Sequence, residues 1–499
     1  MSKKAVQGNK LRTVVVLGIP FQDVSFGDVV EWVKQRVKSR RPGYIATANM
    51  DFIMQAWRDP EQQRILLEAD LVVADGIPIV WLSRVMGFGL KERVTGSDLV
   101  PRFAELSARE GFSLYGLGGA PGVAEKATAH LVQRYPGLRI AGCYSPPKAD
   151  VLDMNNAEIL AKLEAARPDI LLVAFGAPKQ EKWVNMHIRQ WQVPVSIGIG
   201  GSLDFLAGTQ KRAPRIIQKC ALEWLWRMLS DPPRLFKRYV SNIFFFGVAL
   251  LKLLLVRFGP SGAPTQAPLS PAECAALASL QAKRIIFPGL ADDGAVEGFC
   301  SACAAEAGVN ALVIDLEQRP WLTILELGAL VEASRTCRAQ GRHFYVLASH
   351  PRVAKAFRFY RLDHYLHTAA RLEEILESLR KQQRREETRE LCSVVNGHLL
   401  VTLPTELTVT SLEACRTKIE EAWHLAEQRD LKGVTLEAAA LEFMDSAALG
   451  FLNGIRVRTT QAGLLFQCVG FHGAALKTLK IARLDSLFLG AQHEVERRA

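Results

Sequence analysis

The chain has 499 residues, 49% of them hydrophobic, and a formal net charge of +11. That length accommodates two to four domains, and an apolar fraction this ordinary excludes a wholly disordered or fibrous chain. Nine cysteines without framework spacing exclude a disulfide-stapled secreted fold and suit a reducing cytoplasm.

Residues 1–10 are polar, and the apolar run 14–19 is too short for the core of a signal peptide. From residue 11 to 210, short apolar runs alternate with helical patterns. The runs cover 13–17, 43–47, 71–74, 112–117, 138–143, 170–175 and 195–199. Such alternation predicts βα units around a parallel sheet, a Rossmann-like α/β fold. Open sheets of this kind bind ligands beyond the carboxyl ends of their strands.

Asp75 lies at such a strand end, in a tight Asp-Gly turn before a helical run. A carboxylate there can accept a proton from a substrate hydroxyl. It can equally serve as a helix cap, since Asp-Gly-Ile-Pro is good helix-start chemistry. Thr47 and Asn49 follow another strand and either face the same crevice or form the turn. LYGLGGAPGVAEKA (114–127) reads as strand, glycine loop and helix. Gly118 and Gly119 let backbone amides approach a diphosphate at a helix N-terminus. The loop departs from the strict dinucleotide spacing, and no acidic residue follows at the usual distance, which disfavours a nicotinamide enzyme.

FGAPKQEKW (175–183) places Lys179, Gln180 and Glu181 after a strand, where they can orient a sugar or start a helix. A further glycine turn at 197–201 precedes Asp204. No Asp-x-Asp occurs, so the usual acidic metal clamp for nucleotide-sugar diphosphates is missing. No metal or other cofactor is expected. Positive charge for a departing diphosphate must then come from arginines and amides.

The basic excess is local. Residues 211–257 hold ten Lys/Arg against two acids, a net +8, interleaved with Trp224, Trp226 and Phe236. A 14-residue apolar run, 243–256, contains one lysine and falls short of the ~18 residues of a spanning helix. The segment 211–258 therefore reads as an interfacial appendage on an anionic membrane, each basic residue adding roughly 1 kcal/mol. No nucleic-acid-reading motif accompanies the charge. The Pro/Gly/Ser-rich stretch that follows predicts a linker over 259–280.

Beyond it the sequence repeats. Residues 323–363 align without a gap to 445–485 at an offset of 122, with ten of the 41 positions identical. Chance would give about two. This predicts two small α/β domains, 281–380 and 390–495, joined by the charged stretch 380–389. Cys300 and Cys303 form a lone CxxC with no second pair to complete a metal site.

Six strings in order resemble the WecG/TagA/CpsF glycosyltransferase family: ADLVVADGIPIVW, ERVTGSDLV, LGGAPGVAEKA, AFGAPKQEKW, GIGGSLDFLAGTQKRAP and LEWLWRMLSDPPRLFKRY. The resemblance spans roughly residues 11–255. It implies inverting transfer of a sugar, often N-acetylmannosamine, from a UDP-sugar to a lipid-linked acceptor at the inner face of the cytoplasmic membrane, without an obligatory metal. It further implies that Asp75 is the base and that Thr47 and Gln180 are active-site polar residues. Asn49, Arg93, Gly118, Gly119, Lys179, Glu181 and Asp204 complete the candidate substrate-binding set. Arg227, Arg234, Lys237 and Arg238 fall in the appendage that closes over the diphosphate. Where members often read Asn-Pro, this chain has Asn49 followed by Met50.

The second repeat resembles STAS domains, in which an Asp-Ser pair opens a helix and the serine can be phosphorylated. The pair here is Asp445 and Ser446; the first repeat has Thr323 and Ile324 instead. The expectation is a membrane-associated glycosyltransferase of cell-surface polysaccharide synthesis with a STAS regulatory tail, which a kinase or other partner would address through Ser446. The alternative is a catalytically silent nucleotide-sugar sensor whose STAS domains recruit a partner.

Overall fold

A computed structural model describes residues 11–489 apart from 190, 211–212, 215–216, 218–222, 231, 259–261, 266–267, 291, 307, 318, 388–390, 396, 410, 429–430 and 483. The chain opens with β1 (Thr13–Val16), β2 (Ile19–Gln22) and α1 (Phe26–Ser39), then β3 (Tyr44–Ala48), α2 (Met50–Arg58) and α3 (Pro60–Glu68). Next come β4 (Leu71–Ala74), α4 (Ile77–Val85), α5 (Gly96–Glu110), β5 (Ser113–Gly118), α6 (Val123–Arg134), β6 (Arg139–Tyr144) and α7 (Asn156–Ala166). β7 (Ile170–Ala174), α8 (Lys179–His187), β8 (Val195–Gly198) and α9 (Ser202–Leu206) finish the first domain.

Six of these strands form a parallel sheet in the order β4-β3-β8-β7-β5-β6. Buried on both faces, the central strands β3, β8 and β7 are nearly continuous apolar runs, as parallel sheets require. The chain leaves β5 towards β6 and leaves β7 towards β8, so the topological switch lies between β5 and β7.

The first run is not part of that sheet. β1 pairs antiparallel with β2 alone. The two residues between them, Leu17 and Gly18, both have positive φ, which is the turn chemistry of a tight hairpin. Residues 13–22 thus fold back before a crossover helix can form.

The basic appendage is helical: α10 (Glu223–Ser230) and α11 (Pro232–Phe258). α11 extends the apolar run at both ends. Its segment Val240–Phe258, 19 residues, is long and apolar enough to cross a membrane, which the 14-residue run alone is not. The stretch expected to be a linker also contains a helix, α12 (Pro271–Ser279), started by a capping box between Ser270 and Glu273.

The first repeat comprises β9 (Ala282–Ile286), α13 (Asp293–Ala305), β10 (Ala311–Asp315), α14 (Ile324–Ala339), β11 (His343–Leu347), α15 (Pro351–Tyr360), β12 (Thr368–Ala369) and α16 (Leu372–Glu387). The second comprises β13 (Cys392–Val395), β14 (His398–Thr402), β15 (Glu406–Leu407), α17 (Leu412–Glu427), β16 (Gly433–Glu437), β17 (Phe443–Met444), α18 (Ser446–Gln461), β18 (Leu465–Val469), α19 (Gly473–Ile481) and α20 (Asp485–Leu489). β10, α14 and β11 recur as β16, α18 and β18 at the same offset of 122. The first sheet is parallel throughout; the second adds β13 as an antiparallel edge.

Both repeats pack on the first domain through the equivalent helix. α14 lies across β1, and a Cβ added at Gly328 would sit 2.1 Å from the Thr13 carbonyl oxygen, so only glycine permits that approach. Its repeat partner Gly450 faces Leu152. Val14, Phe52 and Ile53 share one buried apolar cluster with Leu327, Phe357 and Tyr360 of the first repeat. Met186 of α8 enters the core of the second.

One ion cluster joins all three bodies. Arg64 of α3 bonds Glu406 of the second repeat at 2.8 Å, and Arg338 of the first lies 3.7 Å from the same carboxylate. The Arg64 guanidinium also lies over Tyr365 and Phe443, and Arg338 over Tyr365. Burial alone would raise the Glu406 carboxyl, but the two guanidiniums outweigh it and hold it at about 2. Arg64→Ala leaves that carboxylate with its better partner gone. A loss of roughly 2–3 kcal/mol is expected, read as a lower midpoint in urea unfolding; an unchanged midpoint would show that the junction does not hold the domains.

Candidate active site

The crevice at the carboxyl ends of the sheet is built by strands that stop together. β3 and β4 pair in register with Ala48 opposite Ala74, which brings Asn49 level with Asp75. The Asp75 N–H continues the ladder, donating to the Ala48 carbonyl at 2.9 Å. The helix that follows begins at Ile77 with Gly76 as its cap and no side-chain cap bond, so Asp75 is not the N-cap that its sequence context also allowed. Its side chain is half-buried at the mouth of the sheet. The Val94 N–H donates to the Ala74 carbonyl, which sets the loop bearing half-buried Arg93 beside the same strand end.

Thr47 is buried and donates from Oγ1 to the Gly198 carbonyl at 2.9 Å, tying β3 to β8. Gly96, the first residue of α5, packs on its side chain. Asn49 does cap a helix: its Oδ1 accepts from the N–H groups of Asp51 and Phe52. The structure therefore assigns both residues a share in holding the crevice wall.

Across the switch point, Gly118 and Gly119 adopt positive φ, and the Gly119 N–H donates to the Ala174 carbonyl at 3.1 Å. A Cβ on Gly118 would lie 2.7 Å from that same oxygen, so glycine is required there. The turn delivers the backbone to the start of α6, which has no side-chain cap. The uncapped N–H groups of that first helical turn suit an anionic group. Asp204, on α9 against α6, accepts from Thr209 Oγ1 at 3.3 Å and so shapes its own turn.

α8 starts at this crevice and alters three expectations. Lys179 bonds the Ala149 carbonyl and lies over the Phe175 ring, and burial pulls its ammonium below the ordinary value. Gln180 is buried: its Oε1 accepts from the N–H groups of Gly176 (3.2 Å) and Gly200 (3.1 Å), and its Nε2 donates to Glu181 at 2.7 Å. With both ends engaged, Gln180 staples the turns after β7 and β8 and acts as a positioning residue. Glu181 is wholly buried and accepts from the Tyr44 hydroxyl at 3.2 Å, so it lies behind the crevice and does not line it. Burial lifts its carboxyl to about 7. Helix register explains the correction: consecutive residues point about 100° apart, so α8 cannot present 179, 180 and 181 together.

Of the appendage residues, Lys237 is exposed on α11. The side chains of Arg227, Arg234 and Arg238 lie outside the described structure. Ser446 is not an open phosphoacceptor. It begins α18 at 8% exposure, packed against the first domain, and its N–H donates to Glu61 of α3. Asp445 caps α18 through Ala448 and accepts from Asn185 of α8 at 3.1 Å. Lys182 of α8 bonds Glu61 (2.8 Å) and Asp59 (2.7 Å). Burial, reinforced by Glu61, lifts the Asp445 carboxyl to about 7. Sequence reasoning missed Glu61 and Asn185, which bond the second repeat, and Lys182, which pairs with Glu61; nothing local marked them.

Comparison with known proteins bears on this geometry. Residues 14–258 match the model described as the glycosyl transferase WecG/TagA/CpsF family, and residues 281–375 and 392–497 match the STAS domain. An N-acetylglucosaminyldiphosphoundecaprenol N-acetyl-beta-D-mannosaminyltransferase of Staphylococcus aureus strain MRSA252 is 30% identical over 241 residues, covering 93% of that protein and 48% of this chain. The chain belongs to the WecG/TagA/CpsF glycosyltransferase family. Proteins of the same name from S. aureus strains MW2 and COL are 29% identical over the same length, again with 93% of each covered. Within this glycosyltransferase the matched region ends with α11, and the two STAS domains follow it.

The Glu181 carboxyl has a folded pKa raised above its ordinary 4.5. Its contribution to stability is therefore complete below about 4.5 and is lost as pH rises through about 7. Glu181→Gln keeps an acceptor for Tyr44 and Gln180 and removes the titration. The variant should match the parent in melting temperature near pH 5 and exceed it near pH 8; parallel melting curves across that range would overturn the assignment.

Proposed function

We propose that this glycosyltransferase moves a sugar of the N-acetylmannosamine type, or another hexose, from a UDP-sugar to a lipid-diphosphate-linked acceptor. The setting would be exopolysaccharide or other cell-surface glycan synthesis at the inner face of the cytoplasmic membrane. The observation that carries the reading is the position of Asp75: half-buried, at a strand end, level with Asn49 and beside the loop of Arg93. The names of the S. aureus relatives supply the acceptor class and the sugar.

Asp75 takes the proton from the acceptor hydroxyl as that oxygen attacks the anomeric carbon. The bond to the UDP oxygen breaks on the opposite face, giving inversion. Charge gathering on the departing diphosphate is met by the backbone amides of the first turn of α6, to which the Gly118–Gly119 turn leads, and by the cations of the appendage, Arg227, Arg234, Lys237 and Arg238. Thr47 and Gln180 hold the strand ends so that these groups need not reorganise during the step. The motif set lacks an Asp-x-Asp, and the reading places no obligatory metal in this step.

Asp75→Asn keeps the size of the side chain and removes the base. Turnover of a UDP-sugar with a lipid-diphosphate-linked GlcNAc acceptor should fall by about 10²–10⁴-fold, with UDP binding retained. Unchanged turnover would refute the role of Asp75. A parent chain that binds UDP-sugars but turns over none would favour the sensor instead.

The tail would act on the same site through α8. A phosphate on Ser446 adds up to about two negative charges next to Glu61 and Asp445, with Lys182 already engaged, so the docked arrangement would be repelled. Ser446→Glu should release the second STAS domain, seen as a larger radius of gyration in solution scattering and as altered turnover, while Ser446→Ala leaves both unchanged. A compact Ser446→Glu protein with parental turnover would contradict this regulation.

A further inference from the structure

The two faces of α11 pose a question of burial. One face, with Asn242, Ala249 and Leu253, packs inward, and Phe245 meets Trp57 of α2 edge-on at 5.0 Å. An ordinary surface helix is polar on its other side. This one is not. Ile243, Phe244, Leu251, Leu254, Leu255 and Phe258 all face solvent, Phe244 at 74% exposure. Lys252 and Arg257 lie among them, and no acid occurs from Pro232 to Phe258.

α4 repeats the pattern on a second element. Ile79, Val80 and Leu82 are buried, whereas Ile77, Trp81 and Val85, spaced four apart on one face, are 41%, 50% and 52% exposed. The one charge on that outer face is Arg84. The two faces meet: the Trp81 ring lies 6.3 Å from that of Phe246 on α11. A contiguous exposed apolar surface with basic residues and no acids on either helix fits an anionic bilayer better than another folded protein. Trp81 has the amphipathic ring that settles at headgroup level.

We propose that α4 and α11 together form the membrane-docking face, with Trp81 and Val85 entering the leaflet beside the appendage. α4 begins two residues after Asp75, so this face sets the base at the bilayer surface. A lipid-linked diphosphate would then reach the crevice without leaving the headgroup layer. The functional meaning rests on the acceptor proposed above; the docking itself does not.

The test uses the full chain and flotation with vesicles of phosphatidylglycerol and phosphatidylethanolamine, with pure phosphatidylcholine vesicles as the neutral comparison. Trp81→Glu and Val85→Glu should each weaken partitioning into the anionic vesicles by about tenfold or more. Val132→Glu, an equally exposed apolar position on α6, should not. Turnover of a short-chain, water-soluble acceptor should remain parental in both α4 variants. Undiminished partitioning would overturn the proposal. So would loss of a dimer on Trp81→Glu without vesicles present, which would make the face a contact between two copies. A fall in turnover of the soluble acceptor in both variants would place α4 in the chemistry and likewise overturn it. A parent that floats but transfers no sugar to either acceptor would defeat the proposed function and leave the docking face standing.

Discussion

One carboxylate between two guanidiniums fixes how the transferase domain and the two STAS domains sit against one another. Glu406 meets Arg64 from the transferase domain and Arg338 from the first STAS domain; the Arg64 guanidinium lies over the rings of Tyr365 and Phe443, and that of Arg338 over Tyr365. A partly buried ion cluster adds little net stability, because desolvation consumes much of the Coulomb gain. It does penalise any arrangement that leaves one charge unmatched. The apolar clusters supply adhesion, and this cluster fixes the relative placement of the three domains. His367, packed in the same junction, is driven down to about 4 by burial and by Arg338, so it stays neutral and adds no third cation.

That placement makes α8 a shared element. Its first turn orders the crevice through Gln180, its Asn185 bonds Asp445 of the second STAS domain, and its Lys182 bonds Glu61, which in turn accepts from Ser446 of that domain. The helix is short, so movement at one end is felt at the other. α11 is likewise shared: it runs along α2 of the transferase domain and packs on α15 of the first STAS domain. The tail therefore touches both the helix that starts at the crevice and the helix that carries the face proposed to meet lipid.

Much of this was legible in the sequence because it depended on local pattern. Apolar runs marked the strands of the parallel sheet, and the offset of 122 located the repeated elements. Asp75 stood out as a carboxylate at a strand end, although its Asp-Gly-Ile-Pro context read equally well as a helix cap. What the sequence hid depends on tertiary register. Thr13 to Val16 has the composition of a core strand, and only the Leu17–Gly18 turn diverts it into a hairpin. Glu181 looks like a surface ligand because charged residues are rarely buried; the helix phase that turns it inward is set by Gln180 bonding two glycine turns. Ser446 looks like an accessible phosphoacceptor until the first domain is placed against it. Gly328 gave no warning of its role, since its neighbour across the interface is more than 300 residues away.

The proposed chemistry is a single displacement at the anomeric carbon with Asp75 as base. The most direct test is the anomeric configuration of the product made by the full chain from an α-linked UDP-sugar and a lipid-diphosphate-linked GlcNAc, read from one-bond C–H couplings by NMR. A β-linked product is predicted. An α-linked product would require a second displacement or front-face chemistry, and would contradict the role given to Asp75.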